Sequence, residues 1–417
     1  MFQYDANQNQ AAVIKVMGVG GGGGNAVDHM MNANIQGVEY ICANTDAQVL
    51  SKMGAKNTIQ LGTEITKGLG AGTNPDIGRQ AAQEDRDHIA QVISGADMLF
   101  LTAGMGGGTG TGAIPVIASI AKDLGVLTVA VVTKPFPFEG GKRRKVAEDG
   151  LIELRQQVDS VIVIPNEKLL TNLPTNVTML QAFKAANDVL KNAVQGIAEI
   201  ITNPGLINVD FADVRSVMSE MGQAMMGTGS AHGENRAADA ARLATESPLL
   251  DDVNLKGARG ILCNITAGSD LSMQEFEQVG DVLENISATD ANVVLGTSIN
   301  NEMEGEIRVT VVASGLEGDR VRKPMRVVRS NDNRKSAEAK TGYGQYEKPA
   351  LERSNRKTAP MRNADTSEAR GSVRERREIE PRKRNSRPDP VSYDTSAATD
   401  GEMSYLDLPT FLRRQAD

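Results

Sequence analysis

The chain has 417 residues, 45 Lys and Arg against 53 Asp and Glu for a formal net charge of −8, two cysteines, no tryptophan and 42 glycines. That length suggests two domains with extensions, and Cys42 and Cys263 can frame neither a disulfide scaffold nor a zinc site, so a reducing, cytosolic setting is expected. Met1-Phe2-Gln3-Tyr4-Asp5 lacks the features of a signal peptide and the longest apolar run, Val126 to Val132, is too short to span a bilayer, which leaves secreted scaffolds, membrane enzymes and globally basic nucleic-acid binders as poor fits.

From about residue 10 to 318, short apolar runs alternate with amphipathic stretches. Ala12–Val19, Val38–Ala43, Met98–Ala103, Leu127–Val132 and Ser160–Pro165 read as strands. Ala26–Asn34, Gly78–Ser94, Thr111–Leu124 and Gly141–Asp159 read as helices between them. This alternation predicts a parallel sheet covered on both faces. A long helix is predicted from Asn176 to Thr202, with Leu180, Phe183, Leu190, Val194, Ile197 and Ile201 on one face and Asn203-Pro204-Gly205 as its stop. Beyond it, Ala224–Met226, Gly260–Ala267, Ala291–Thr297 and Glu306–Ala313 read as strands, with helices at Arg236–Thr245 and Leu271–Ser287. They form a second, smaller α/β domain.

Charge changes sharply along the chain. Residues 1–330 carry a net −11, residues 331–400 a net +4 and the last 17 a net −1. Between 331 and 400 there are five Val, Ile, Leu or Met, three Tyr and no Phe, too little to bury a core, so this linker is expected to be disordered. Its basic runs, Arg374 to Arg377 and Arg382 to Arg384, are interleaved with acids and lack aromatics, which favours a solvated tether over a nucleic-acid surface. Apolar character returns in Tyr405-Leu406-Asp407-Leu408-Pro409-Thr410-Phe411-Leu412, a peptide suited to ordering on a partner.

Chemistry concentrates in two glycine-rich loops. Gly18-Val19-Gly20-Gly21-Gly22-Gly23-Gly24-Asn25 follows the first strand and opens a helix, where free backbone N–H groups and the helix terminus attract phosphate. Gly18, Gly20 and Gly23 also satisfy the dinucleotide fingerprint. Gly104-Met105-Gly106-Gly107-Gly108-Thr109-Gly110-Thr111-Gly112 repeats the arrangement after the Met98 strand. A single dinucleotide unit needs only one such loop, whereas two can clamp a nucleoside di- or triphosphate. No Gly-Lys-Ser/Thr is present, which excludes the P-loop. His29, His88 and His232 have no metal-ligand spacing.

Gly-Gly-Gly-Thr-Gly-Thr-Gly at 106–112 resembles the signature of the tubulin superfamily. With Gly20–Asn25, Asn44-Thr45-Asp46, Asn208-Val209-Asp210-Phe211-Ala212-Asp213 and Asp407–Leu412, the chain is similar to its bacterial cell-division branch over about residues 10–318 and the last dozen. The resemblance implies a GTPase that polymerises head to tail into a division ring, hydrolysing GTP to GDP between subunits, in the cytoplasm at mid-cell beneath the inner membrane. It implies an α/β fold: flexible residues 1–10, a Rossmann-like GTP-binding domain 11–175, a central helix 176–203, a C-terminal α/β domain 204–318 carrying the catalytic loop, a linker 319–400 and a docking peptide 401–417.

Residue by residue, Gly20, Gly21, Gly22, Gly23, Gly24 and Asn25 are implied as the first phosphate-side loop, and Gly107, Gly108, Thr109 and Gly110 as the second. Gly72 and Thr73 fall near the γ-phosphate, and Glu139 and Arg143 near ribose and phosphate. Asn44, Asp46, Asn166 and Phe183 complete the nucleotide set. Asn187 stands on the apolar stripe of the long helix where a leucine would be expected, and the resemblance assigns it to the guanine edge, with Asp188 as alternate. Asp210 and Asp213, at i and i+3, read locally as helix capping. The resemblance makes them, with Asn208, the carboxylates that polarise water and place a cation beside the next subunit's nucleotide. Mg²⁺ is implied, with a monovalent cation as a second candidate, and the tail is implied to meet membrane tethers and regulators such as the actin-like FtsA. Two other readings stay open: an NAD-dependent oxidoreductase on Gly18, Gly20 and Gly23, and a scaffold that binds nucleotide without hydrolysis.

Overall fold

The structure, a computed structural model, describes residues 12–316 except 175, 204, 208, 220–221, 251–257 and 289–290. The expected N-terminal tail, linker and docking peptide, and Asn208, lie outside the described residues. In chain order the elements are β1 Ile14–Val19, α1 Gly20–Asn32, β2 Val38–Asn44, α2 Ala47–Leu50, β3 Asn57–Gln60, α3 Thr63–Thr66, α4 Pro75–Glu84, α5 Arg86–Ile93, β4 Met98–Gly104 and α6 Thr109–Asp123. There follow β5 Leu127–Lys134, α7 Gly141–Leu154, β6 Ser160–Pro165, α8 Asn166–Asn172, α9 Met179–Thr202 and α10 Phe211–Met218. The C-terminal part holds β7 Gly222–His232, α11 Arg236–Thr245, β8 Gly260–Ala267, α12 Met273–Ile286, β9 Asn292–Ile299 and β10 Glu306–Leu316.

One ten-stranded sheet runs in the order β3-β2-β1-β4-β5-β6-β7-β10-β8-β9. Its first six strands are parallel and follow the dinucleotide-fold order 3-2-1-4-5-6. Side chains alternate between two buried faces, which is why the strands read as continuous apolar runs. In β4, Met98 and Phe100 join α1 and α9 in one core, while Leu99, Leu101 and Ala103 join α4, α5, α6 and α7 in the other. A third core packs β8 and β10 against α11 and α12.

The second group of strands is not a detached sheet. Short parallel pairing of Ser160, Val161 and Ile162 with Gly222, Gln223 and Ala224 hydrogen-bonds β7 onto β6. The remaining pairs are β7–β10 and β10–β8, both antiparallel, and β8–β9, parallel. β7 extends well past the expected Ala224–Met226 because Gly227 and Gly229 are strand residues held bare by packing. A methyl on either would overlap a carbonyl oxygen of α11, that of Ala244 or of Ala240. The predicted helix at Gly78–Ser94 breaks in two at Asp85, whose carboxylate accepts a 2.6 Å bond from the Gly62 N–H.

Candidate nucleotide site

In an open parallel sheet, ligands settle at the carboxyl ends of the strands where the strand order reverses. Here that point lies between β1 and β4, and both glycine loops leave the sheet there. A cavity of about 830 Å³ opens at this place, lined by Gly21, Gly22, Asn25, Asn44, Thr45, Asp46, Gly72, Thr73, Gly107, Gly108, Thr109 and Gly110 on one side. Glu139, Arg143, Asn166, Phe183, Lys184 and Asn187 line the other. The volume suits a nucleotide rather than a small metabolite.

The first loop is helical from Gly20 onward, so the expected helix start at Ala26 moves back by six residues. Glycine's poor helix propensity hides this in the sequence. Tertiary crowding supplies the reason: a methyl on Gly18 would overlap Gly23 O, and one on Gly23 would overlap Thr102 O in β4. Gly20, Gly23 and Gly24 are buried and lie outside the cavity lining: Gly23 lets α1 sit against the sheet, Gly20 meets the start of α6 and Gly24 meets the Met53 side chain, while Gly21 and Gly22 face the cavity. The dinucleotide fingerprint thus falls mostly on packing glycines.

In the second loop, Gly106 holds φ +101°, a conformation that favours glycine, and its N–H donates to Thr111 Oγ1 at 2.8 Å. Gly108 N–H donates to Gly72 O at 3.2 Å, tying this loop to the third one at 70–74. Both α1 and α6 begin at the cavity wall, so two helix N-termini supply the positive partial charge that a P-loop lysine would otherwise bring. Thr45 and Thr109 hydroxyls share a 2.6 Å bond, and Asp46 caps α2 by accepting from the Gln48 and Val49 N–H groups.

Across the cavity, Glu139 is a positioned relay. One carboxylate oxygen accepts from the Phe136 N–H at 2.9 Å and the other from Arg143 Nη1 at 2.8 Å, which aims the guanidinium before any ligand arrives. Phe136 stacks on Phe138 and meets Phe183 edge-on, with ring centroids 5.1 and 5.2 Å apart. Phe183 thereby presents a fixed aromatic surface to the cavity beside Asn187. Asn166 is 4% exposed and its Oδ1 has no hydrogen-bond partner although it borders the cavity. A buried amide oxygen left unpaired is expected where a ligand supplies the missing donor.

Asp188 does not line the cavity. Its carboxylate takes His29 Nε2 at 2.7 Å, linking α9 to α1 at the rim. Asp210 caps α10 by accepting from the Ala212 N–H at 3.2 Å, Asp213 follows in the first turn, and both are exposed and outside the cavity wall. Their helix follows the far end of α9, which lines the cavity as far as Leu190 and runs on to Thr202, about 18 Å further along its axis. Sequence reasoning passed over His29, Thr45 and Lys184 as lining residues. The first lies one helical turn from Asn25 and the other two lie beside residues already implicated, so spacing alone was the available signal. Among the described residues no group of three or more His, Cys, Asp or Glu is placed to hold a metal ion, and no helix is long and apolar enough to cross a membrane.

Sheet order, twin glycine loops and an aromatic-backed amide define a nucleotide-binding α/β protein. The description "Tubulin/FtsZ family, GTPase domain" matches residues 13–174, and "FtsZ family, C-terminal domain" matches residues 222–317. Among curated relatives, the cell division protein FtsZ of Pseudomonas aeruginosa is 52% identical over 417 residues, covering 100% of both chains. That of Coxiella burnetii is 53% identical, covering 99% of each. Of solved structures, an FtsZ dimer from M. jannaschii superposes with TM-score 0.71 at 45% identity, over 73% of this chain and 89% of that one. CetZ2 from Haloferax volcanii shares the fold, with TM-score 0.63 at 21% identity over 74% and 95%. The chain belongs to the Tubulin/FtsZ family, and within it to the FtsZ branch.

Proposed function

We propose that GTP lies in this cavity, that the chain polymerises head to tail in support of cell division, and that hydrolysis is completed by Asp210 and Asp213 of the adjoining subunit. The observation that supports the second half is separation: the glycine loops, Phe183 and Asn187 line one cavity, yet the acidic loop of the same chain follows the opposite end of α9. Guanine would rest on Phe183 and bond to Asn187, with Asp188 as alternate. Asn166, Glu139 and Arg143 would meet ribose and phosphate. Gly21, Gly22, Asn25, Gly72, Thr73 and Gly107 to Gly110 would cradle the phosphates, assisted by Asn44 and Asp46.

Phosphoryl transfer to water needs positioning and electrostatic stabilisation more than covalent chemistry. Asp210 and Asp213, with Asn208, would orient the water in line with the γ-phosphorus, and the two helix termini would hold the charge that develops on the phosphate oxygens. The donor set fits a cation that arrives with the nucleotide: Thr109 and Asp46 border the cavity, and among the described residues no acidic cluster competes. Mg²⁺ held there would neutralise charge on the phosphate oxygens, with a monovalent cation as the second candidate. The same reading makes residues 13–174 the GTP-binding part, α9 the spacer and 222–317 the part that follows the catalytic loop. Tyr405–Arg414 would dock membrane tethers such as FtsA, which would place filaments in the cytoplasm at mid-cell.

Light scattering and phosphate release, measured against protein concentration with GTP, ATP or NAD, test the scheme. A shared threshold seen only with GTP is expected. Release proportional to concentration without scattering would refute completion in trans.

A further inference from the structure

Asp210 and Asp213 are the N-cap and a first-turn residue of α10, and the described residues just before them, around Ile207, run beside β9. Among the described residues β9 is the last strand in the order, and its outer edge has no strand partner there. At Thr297 that edge is taken by the backbone at Ile207. Thr297 N–H donates to Ile207 O at 3.1 Å, and Thr297 Oγ1 accepts from Ile207 N–H at 2.9 Å. Thr297 Oγ1 also donates to Ile207 O at 3.4 Å, so Ile207 is tied to β9, whereas Asp210 accepts from N–H groups of α10. Thr297 is 2% exposed, so its hydroxyl is not shared with solvent.

Packing narrows the same contact. A methyl on Gly205 would lie 2.5 Å from Thr297 Oγ1 and would overlap its carbonyl oxygen, and one on Gly296 would lie 2.7 Å from Val209 Cγ2. Glycines on both sides thus let the segment approach β9 closely enough for a two-point clamp. The clamp falls three residues before Asp210. Leu206 is 72% exposed, so at the clamp itself no apolar burial of Leu206 holds the backbone, while Val209 and Phe211 on either side of Asp210 pack against the core.

We propose that Thr297 is a positioning residue for hydrolysis: its hydroxyl fixes the backbone at Ile207 and so sets where Asp210 and Asp213 meet the neighbour's nucleotide. This rests on the trans-site reading above. It lies far from the cavity of its own chain and takes no part in binding GTP.

The test uses the full chain and three variants: Thr297→Val, Thr297→Ser and Asp213→Ala. Val keeps the β-branch and the main-chain bond but leaves Ile207 N–H without its acceptor. Ser keeps the hydroxyl. The slope of phosphate release above the assembly threshold reports turnover per polymerised subunit, the intercept reports assembly, and nucleotide affinity is measured below the threshold. The expected result for Thr297→Val is a slope lowered about tenfold with intercept and GTP affinity unchanged, because small misplacements of reacting groups cost rate rather than binding. Thr297→Ser is expected to restore the slope. A normal slope in Thr297→Val alongside a collapsed slope in Asp213→Ala would overturn this inference alone, and a normal slope in Asp213→Ala would overturn the trans-site reading and the inference with it. A Thr297→Val loss that shifts the intercept or melting temperature and is not rescued by Ser would make Thr297 merely structural.

Discussion

Gly23 and Gly24 are neighbours in α1, both buried, and replacing each by alanine should have opposite consequences. Helix propensity alone favours alanine at either position by about 1 kcal/mol. At Gly24 the new methyl would meet Met53 Cε at 3.0 Å, the end of a flexible side chain that swings aside at little cost. At Gly23 it would overlap the Thr102 carbonyl oxygen and stand 3.0 Å from Gly18 C, both backbone atoms of central strands. Neither strand can yield without disturbing β1–β4 pairing, so overpacking of about 3 kcal/mol or more outweighs the propensity gain. Gly23→Ala is therefore expected to lose about 2 kcal/mol or more, a fall in Tm of roughly 3 °C or more for an ordered region of this size. Gly24→Ala should melt at or slightly above the parent temperature. Scanning calorimetry without nucleotide measures both. Equal melting of the two variants would refute the assignment of Gly23 to packing and return it to the phosphate loop.

Asp213→Ala should bind GTP and assemble normally while turnover per polymerised subunit falls about a hundredfold, the scale for loss of one stabilising group. Unchanged turnover would remove it from the mechanism. Burial pushes the Cys42 thiol up to about 12, with the Asp28 charge adding to it, and burial alone pushes Cys263 up to about 12. At pH 8 a disulfide reagent should label neither thiol in the folded chain and both in guanidinium; rapid labelling of the native protein would contradict their placement. Arg236 donates to Glu275 and Asp270, and these hydrogen bonds hold both carboxyls below their usual range. Depressed carboxylates contribute stability that is complete above about pH 4.5 and disappears as pH falls through their folded values. Glu275→Gln should thus melt lower than the parent at pH 7, with the gap closing below about pH 4. A gap independent of pH would assign the loss to packing.

The parallel half was legible because its strands are buried on both faces and its helices show one apolar stripe. Ser160–Pro165 and Gly260–Ala267 need no correction. What escaped was wherever glycine is structural rather than permissive. Gly20 to Gly24 looked like loop because propensity is read one residue at a time, whereas the demand for a missing Cβ comes from Thr102 O, seventy-odd residues away. Gly227 and Gly229 hid most of β7 for the same reason, since α11 rests on the bare strand. β3 was missed at four residues, too short to display a period. Family resemblance pointed to Asn166, and composition would never have done so; only its orphaned Oδ1 gives a physical ground. Asp210 shows the converse: its local capping role is real and neither reveals nor rules out the role proposed for it and Asp213 beside a neighbouring subunit.

The spacer gives these details a common consequence. α9 carries Phe183 and Asn187 at the cavity and is seated on the sheet near its other end, where a methyl on Gly196 would press 2.7 Å from Thr310 Cγ2. Glu199, 8% exposed, accepts from Gln195 Nε2 at 2.6 Å and from Thr266 Oγ1 at 3.1 Å, anchoring the helix to β8. A helix gripped at both ends holds a fixed length, so the cavity and the acidic loop of one chain stay apart in every state that keeps these contacts. Were the loop able to fold back on its own cavity, turnover would be first order in protein at any dilution. With the distance fixed, the proposed trans site makes turnover a property of contact between two copies, and a concentration threshold is the kinetic signature expected of that geometry.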